Sequence, residues 1–262
     1  MQNCNTSIWK LLIEGRIELK EIMLMSMCLI FFFSIAACRE EKPIDMHEIQ
    51  MISKMKVYFG HKSVGANIVS GIENLLSDSP VVITQSRDPA DYTYSSFLHS
   101  SIGANTLPFS KIEAFSEIMH AGFGNKADYA FFKFCFVDFS ETTDIEELFE
   151  YYSRTMEELK TAYPQTTFIH VTSPLIAKKL DMKTRIKNVI KPLIGRKVIT
   201  YHNNKYIHEF NQMLRREYGG KESIFDLAEL ESLDDNGTRY FFTDGSMQIP
   251  LLYHGYASDE GH

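Results

Sequence analysis

The sequence predicts a single α/β domain of three layers, with a mainly parallel sheet covered by helices on both faces. Short runs rich in β-branched and aromatic residues alternate with stretches whose apolar residues recur every three or four positions. The run 128–137, DYAFFKFCFV, is the most hydrophobic strand candidate and reads as central, buried on both faces. With 262 residues, 44% of them hydrophobic, and 19 Phe and 13 Tyr, the chain can fill one large core.

The elements follow in order. Residues 55–59, MKVYF, ended by Gly60, form a first strand. Ile68, Ile72, Leu75 and Leu76 make the inward stripe of a helix after Gly65. Residues 81–84, entered from Asp78-Ser79-Pro80, are a second strand. A long polar loop runs from Gln85 to Pro108, and loops of that length often carry function. Ile112, Phe115, Ile118 and Met119 mark the next helix, and the central strand 128–137 follows. Residues 144–162 are helical and stopped by Pro164; 167–172 form a strand closed by Ser173-Pro174. A helix over 204–217 turns Ile207, Phe210, Met213 and Leu214 inward, with Gly219-Gly220 as its C-cap, and 223–227 is a last short strand. This alternation implies right-handed crossovers and a parallel, flavodoxin-like sheet.

The 34 acidic and 27 basic residues give a net charge of −7, which argues against a nucleic-acid partner. The N-terminus reads as an address. Residues 23–37, MLMSMCLIFFFSIAA, carry no charge; fifteen residues suit a secretory signal and are short for a membrane span. Ile35-Ala36-Ala37-Cys38 gives way abruptly to Arg39-Glu40-Glu41-Lys42-Pro43. This resembles the lipobox of bacterial lipoproteins. It implies that 1–37 is a signal peptide and that Cys38 is acylated and becomes the new N-terminus. The product is an exported protein anchored in the cell envelope, facing the periplasm or the cell surface. Several acyl chains make a stable anchor at about 0.8 kcal/mol per buried methylene. Residues 39–54 then read as a polar tether and 55–262 as the folded domain. Cys135 is the one cysteine left in that domain, so packing rather than disulfides must stabilise it. Between Ile176 and Thr200 lie eight Lys or Arg and one Asp, a solvated helix face or a lid for anionic groups.

Ligands of parallel α/β sheets bind at the carboxyl ends of the strands. The loop after the first strand reads Gly60-His61-Lys62-Ser63-Val64-Gly65-Ala66-Asn67. A serine before a helix most often caps it. The alternative is a nucleophile beside backbone N–H groups able to bind an oxyanion. A serine nucleophile needs a base, and the base needs an orienting group. The chain ends in Ser258-Asp259-Glu260-Gly261-His262, where Asp and His can share one turn.

A serine after strand one, a glycine in the next long loop and a terminal Asp-x-x-His together resemble the SGNH/GDSL hydrolase superfamily, over about 56–262. The likeness includes Val171-Thr172-Ser173-Pro174, Phe210-Asn211 and Asp226-Leu227. It implies Ser63 as nucleophile, His262 as general base and Asp259 as its orienter. Gly103, in Ser101-Ile102-Gly103-Ala104-Asn105, matches the oxyanion glycine, with the Ser63 N–H as another donor. The family's Gly-Asp-Ser-Leu reads His61-Lys62-Ser63-Val64 here, and its Gly-x-Asn-Asp reads Cys135-Phe136-Val137-Asp138. The missing asparagine leaves Asn105 or Asn67 to replace it. Family members usually run on into a closing helix, so the resemblance implies a chain that continues past His262 or ends unusually short.

No metal-ligand spacing, phosphate loop or dinucleotide glycine pattern is present, so no cofactor is expected. The expected function is cleavage of an ester through an acyl-enzyme, the substrate being an acetylated glycan, a lipid ester or a small acyl ester. The aromatic loop Tyr92-Thr93-Tyr94-Ser95-Ser96-Phe97 suggests a surface for sugar stacking. The rival is an inactive lipoprotein of the same fold serving as a carbohydrate-binding or envelope-assembly module.

Overall fold

The computed structural model describes residues 46–178 and 200–257. The signal segment, Cys38, most of the basic stretch 176–200, Asp259 and His262 lie outside the described residues. Among those described, no helix is long and apolar enough to cross a membrane.

Six parallel strands form one sheet: β1 Val57–His61, β2 Ile83–Gln85, β3 Phe97–Ser101, β4 Tyr129–Phe132, β5 Thr167–Val171 and β6 Ile224–Phe225. Their spatial order is β2-β3-β1-β4-β5-β6. Setting aside the edge strand β2, this is the flavodoxin-like order, with β1 at the point where the chain reverses direction across the sheet. Helix α1 spans Met46–Ile52, α2 Val64–Leu75, α3 Pro108–His120, α4 Ile145–Ala162, α5 Asn204–Tyr218 and α6 Leu227–Glu231. A hairpin of β7 (Phe241–Asp244) and β8 (Met247–Pro250) follows.

Alternation along the strands divides the core in two. Val57 and Phe59 of β1, with Phe97, Tyr129, Phe131 and Ile169, pack against Ile49 and Ile52 of α1 and Ile68, Val69 and Ile72 of α2. Tyr58, Leu98, Ala130, Phe132 and Phe168 face the opposite way, onto α3, α4 and α5 through Phe115, Phe149, Tyr152 and Phe210. The three-layer α/β fold is therefore present.

Helix ends follow local chemistry. The Asp144 carboxylate accepts from the Glu147 N–H at 2.9 Å and starts α4. Gly219 closes α5 and Gly220 takes φ +73°, the left-handed conformation common after a helix.

Several elements differ from expectation, and the expected last strand at 223–227 is followed by α6 and the β7–β8 hairpin. The polar loop 85–108 contains β3, hidden because its second half, His99-Ser100-Ser101, is polar. Two of those side chains are satisfied across the strand pair: Ser100 Oγ bonds Tyr58 OH at 2.6 Å, and His99 Nδ1 meets His61 Nε2 at 2.9 Å. The expected tether 39–54 contains α1, whose Ile49 and Ile52 are buried. The expected strand 128–137 pairs only over Tyr129–Phe132, and the chain then leaves the sheet into a 3₁₀ turn at Phe136–Asp138.

Candidate active site

The candidate site lies at the carboxyl end of β1, between the ends of β3 and β4. His61 pairs with Ser101, and Gly60 pairs with both Ser100 and Phe132. The His61 carbonyl accepts from Ile102 N–H at 2.9 Å and the Gly60 carbonyl from Lys133 N–H at 3.2 Å. Ser63 and Gly103 thus each stand two residues beyond a paired position, on adjacent strands.

Ser63 is exposed, at φ 52° and ψ −117°. A capping serine sits in extended backbone and bonds its hydroxyl to the first turn. Ser63 precedes α2 but makes no such bond. Among the described residues the other non-glycine with positive φ is Thr106, at φ 69°. Such conformations cost about 1–3 kcal/mol and concentrate at functional sites. Both residues lie in loops at the carboxyl end of the sheet, Ser63 after β1 and Thr106 after β3. A strained strand-to-helix turn presenting a serine hydroxyl is the geometry of a nucleophile elbow.

Gly103 has φ +53°, and a Cβ there would lie 2.7 Å from the Lys111 backbone nitrogen, so no other residue fits. Among the described residues, neither the Ser63 nor the Gly103 N–H has an acceptor. Two backbone donors on adjacent strand ends are therefore free. Asn105 is exposed, with Oδ1 3.4 Å from Lys111 Nζ. An ammonium only donates, so the amide oxygen faces Lys111 and the NH₂ group is left to donate.

A buried carboxylate holds these loops together. Asp138 accepts from Thr106 N–H at 2.9 Å, from Cys135 N–H at 2.7 Å and from the Lys111 ammonium. It thereby joins the loop after β3, the loop after β4 and helix α3. The Lys111 and Asp138 side chains are both fully buried, a pairing tolerated only with such complete hydrogen bonding.

Three further buried ionisable groups lie at this end of the sheet. Lys133 Nζ donates to the carbonyls of Phe134 at 3.1 Å and Lys62 at 3.4 Å, and burial pushes its pKa down. Glu231 accepts from Leu175 N–H at 2.6 Å, and burial raises its carboxyl to about 7. Burial foremost, then His99 and Lys133, lowers His61 to about 4. An open cleft of about 630 Å³ adjoins the Thr106 loop, lined by Phe109, Thr143, His202, Asn203 and Tyr206 among others.

No family model matches the chain, and no curated protein matches it. Among solved structures, one described as a "putative platelet activating factor from Streptococcus pneumonia" is similar over 96% of this chain and 94% of that one. The two are 13% identical, with a TM-score of 0.42.

Ser63 and Gly103 are thus brought to neighbouring strand ends, and Asn105 is tied to the same loop. Leu252 bridges to Ala177 past β5, and Tyr253 N–H bonds the carbonyl of Glu231 at 2.7 Å. The aromatic loop 92–97 precedes β3, so it lies at the amino end of the sheet, opposite Ser63. Tyr92 and Phe97 are buried there and Tyr94 alone of the three aromatics is exposed, so the loop is no stacking surface for a substrate at Ser63. Lys111, Lys133, Glu231 and the His61–His99 pair were not legible as site residues. Lys133 alone left a signal: a single charge among nine residues of apolar or aromatic strand, with Asp128 at its start.

Proposed function

We propose that the protein is an exported, lipid-anchored serine hydrolase that cleaves an ester at Ser63. The backbone of Ser63 carries this reading: a non-glycine residue at positive φ on a strand-to-helix turn, with its hydroxyl exposed and not used as a cap. A merely capping serine has no reason to hold that conformation.

In the proposed reaction Ser63 Oγ attacks the acyl carbon as His262 takes its proton, Asp259 fixing the imidazole tautomer. The carbonyl oxygen becomes an oxyanion and is met by the N–H groups of Ser63 and Gly103 and by the Asn105 amide. Collapse breaks the ester C–O bond, and the alcohol leaves with the proton from His262. Water, deprotonated by His262, then attacks the acyl-enzyme; the acid is released and Ser63 regains its proton. An acetylated glycan is the favoured substrate, a reading supported by the cleft beside Thr106, where hydroxyl and amide side chains adjoin the rings of Phe109 and Tyr206. Cys38 carries the anchor.

Intact-mass detection of a fluorophosphonate adduct on the full-length chain tests the reading. One adduct is expected on the wild type and none on Ser63→Ala. An unlabelled wild type overturns the hydrolase assignment in favour of a binding module on the same scaffold.

A further inference from the structure

We propose that Lys133 is a positioning residue that aims the Ser63 N–H at the oxyanion, an inference that rests on the hydrolase reading above. Lys133 is the first residue past β4, and its side chain is sealed inside the protein at 1% exposure. Its ammonium has no carboxylate within bonding distance among the described residues, because Asp138 is engaged by Lys111. Its hydrogen bonds go to two main-chain carbonyls, of Phe134 and of Lys62. A buried lysine so placed is costly compared with the leucine or methionine this apolar run would accept.

The Lys62 carbonyl belongs to the same peptide unit as the Ser63 N–H. It points inward to two donors, Lys133 Nζ at 3.4 Å and Gly65 N–H at 3.2 Å. That peptide is trans, so its N–H points the opposite way, away from the Lys133 ammonium. Pulling the oxygen in with a charge therefore does two things. It fixes the direction of the N–H, and it polarises the amide so that the N–H donates more strongly. Lys133 acts on the reaction through the Lys62–Ser63 peptide without touching substrate.

The test compares wild type, Lys133→Met and Lys133→Gln in the full-length chain. Two readings are taken: the amide proton and Lys62 carbonyl-carbon shifts at the Lys62–Ser63 peptide, and the kinetics of ester hydrolysis and fluorophosphonate labelling. Lys133→Met should move both shifts and lower kcat by about 10- to 100-fold with KM little changed, somewhat less than deleting an oxyanion donor outright. Lys133→Gln retains a neutral donor and should fall between. It also supplies both readings if Lys133→Met does not fold. A purely structural lysine would alter the melting temperature and leave the Ser63 shift and the kcat/KM split alone. Folded variants with unmoved shifts overturn the proposal, and so do moved shifts with unchanged labelling. A wild type that never labels overturns the hydrolase reading instead, while the shifts still decide the orientation of the peptide.

Discussion

Gly65 lies directly on the ring of His61: a Cβ at this glycine would sit 2.7 Å from His61 Cγ and 2.8 Å from Nδ1. The two residues flank Ser63 at equal spacing, so their close approach is what makes the turn tight. Gly65→Ala must therefore open the turn or displace His61, at about 1–3 kcal/mol for overpacking. The expected outcome is a lower denaturation midpoint together with slower fluorophosphonate labelling. Normal labelling at lowered stability would separate the turn geometry from reactivity.

Ser63 itself separates two accounts by the sign of a stability change. If it were a cap, Ser63→Ala would cost about 1 kcal/mol through a lost hydrogen bond, and Gly would cost a few tenths. With no cap bond and φ 52°, the strain is the larger effect. Ser63→Gly should therefore be more stable than wild type by about 1 kcal/mol, since glycine adopts positive φ freely, whereas a lost cap would make it slightly less stable. Urea unfolding of Ser63→Gly beside wild type decides it; a midpoint at or below that of wild type would sink the strain argument.

Asp138 holds three partners from three elements, and its removal strands the buried Lys111. Asp138→Ala should cost about 3–5 kcal/mol. Lys111→Met with Asp138→Leu should recover part of that loss, read by the same unfolding assay, yet should not restore labelling, because the Thr106 and Cys135 N–H groups remain unanchored.

His61 is held neutral, with its pKa lowered to about 4. The unfolded chain binds a proton there near pH 6.5 and the native chain does not, so this group adds stability as pH rises from about 4 to 6.5. An NMR titration of the His61 ring should show no midpoint above pH 5. A midpoint near 6.5 would contradict the burial argument.

Glu231 works in the opposite direction over nearly the same range. Its carboxyl is raised to about 7, so its stabilising contribution is complete below pH 4.5 and is lost as pH climbs through 7. Glu231→Gln keeps an acceptor for Leu175 N–H and removes that loss. At pH 8 the variant should be more stable than wild type by on the order of 1–3 kcal/mol, and at pH 4.5 nearly equal. Its pH profile between 4.5 and 6.5 should also be steeper, since the rise from His61 is no longer opposed.

By itself the sequence determined the architecture and the place to look. Hydrophobic period alone marks α2, α3, α4 and α5, and the continuous apolar runs of β1 and β4 identify buried parallel strands, because covering both faces requires it. A serine between β1 and α2 was likewise legible, since strand ends and helix starts are local signals. Only the tertiary structure decided how the serine is held. Strand β3 was invisible because His99 and Ser100 are polar, and their burial depends on His61 and Tyr58 of a strand 38 to 42 residues away. The backbone of Ser63 depends on Gly65 closing on His61, and the buried charges depend on partners such as Asp138 for Lys111, 27 residues apart. Periodicity reports which face of an element is apolar. Which distant polar group meets which is set by packing alone, because a buried charge is stable only beside the partner that the fold delivers to it.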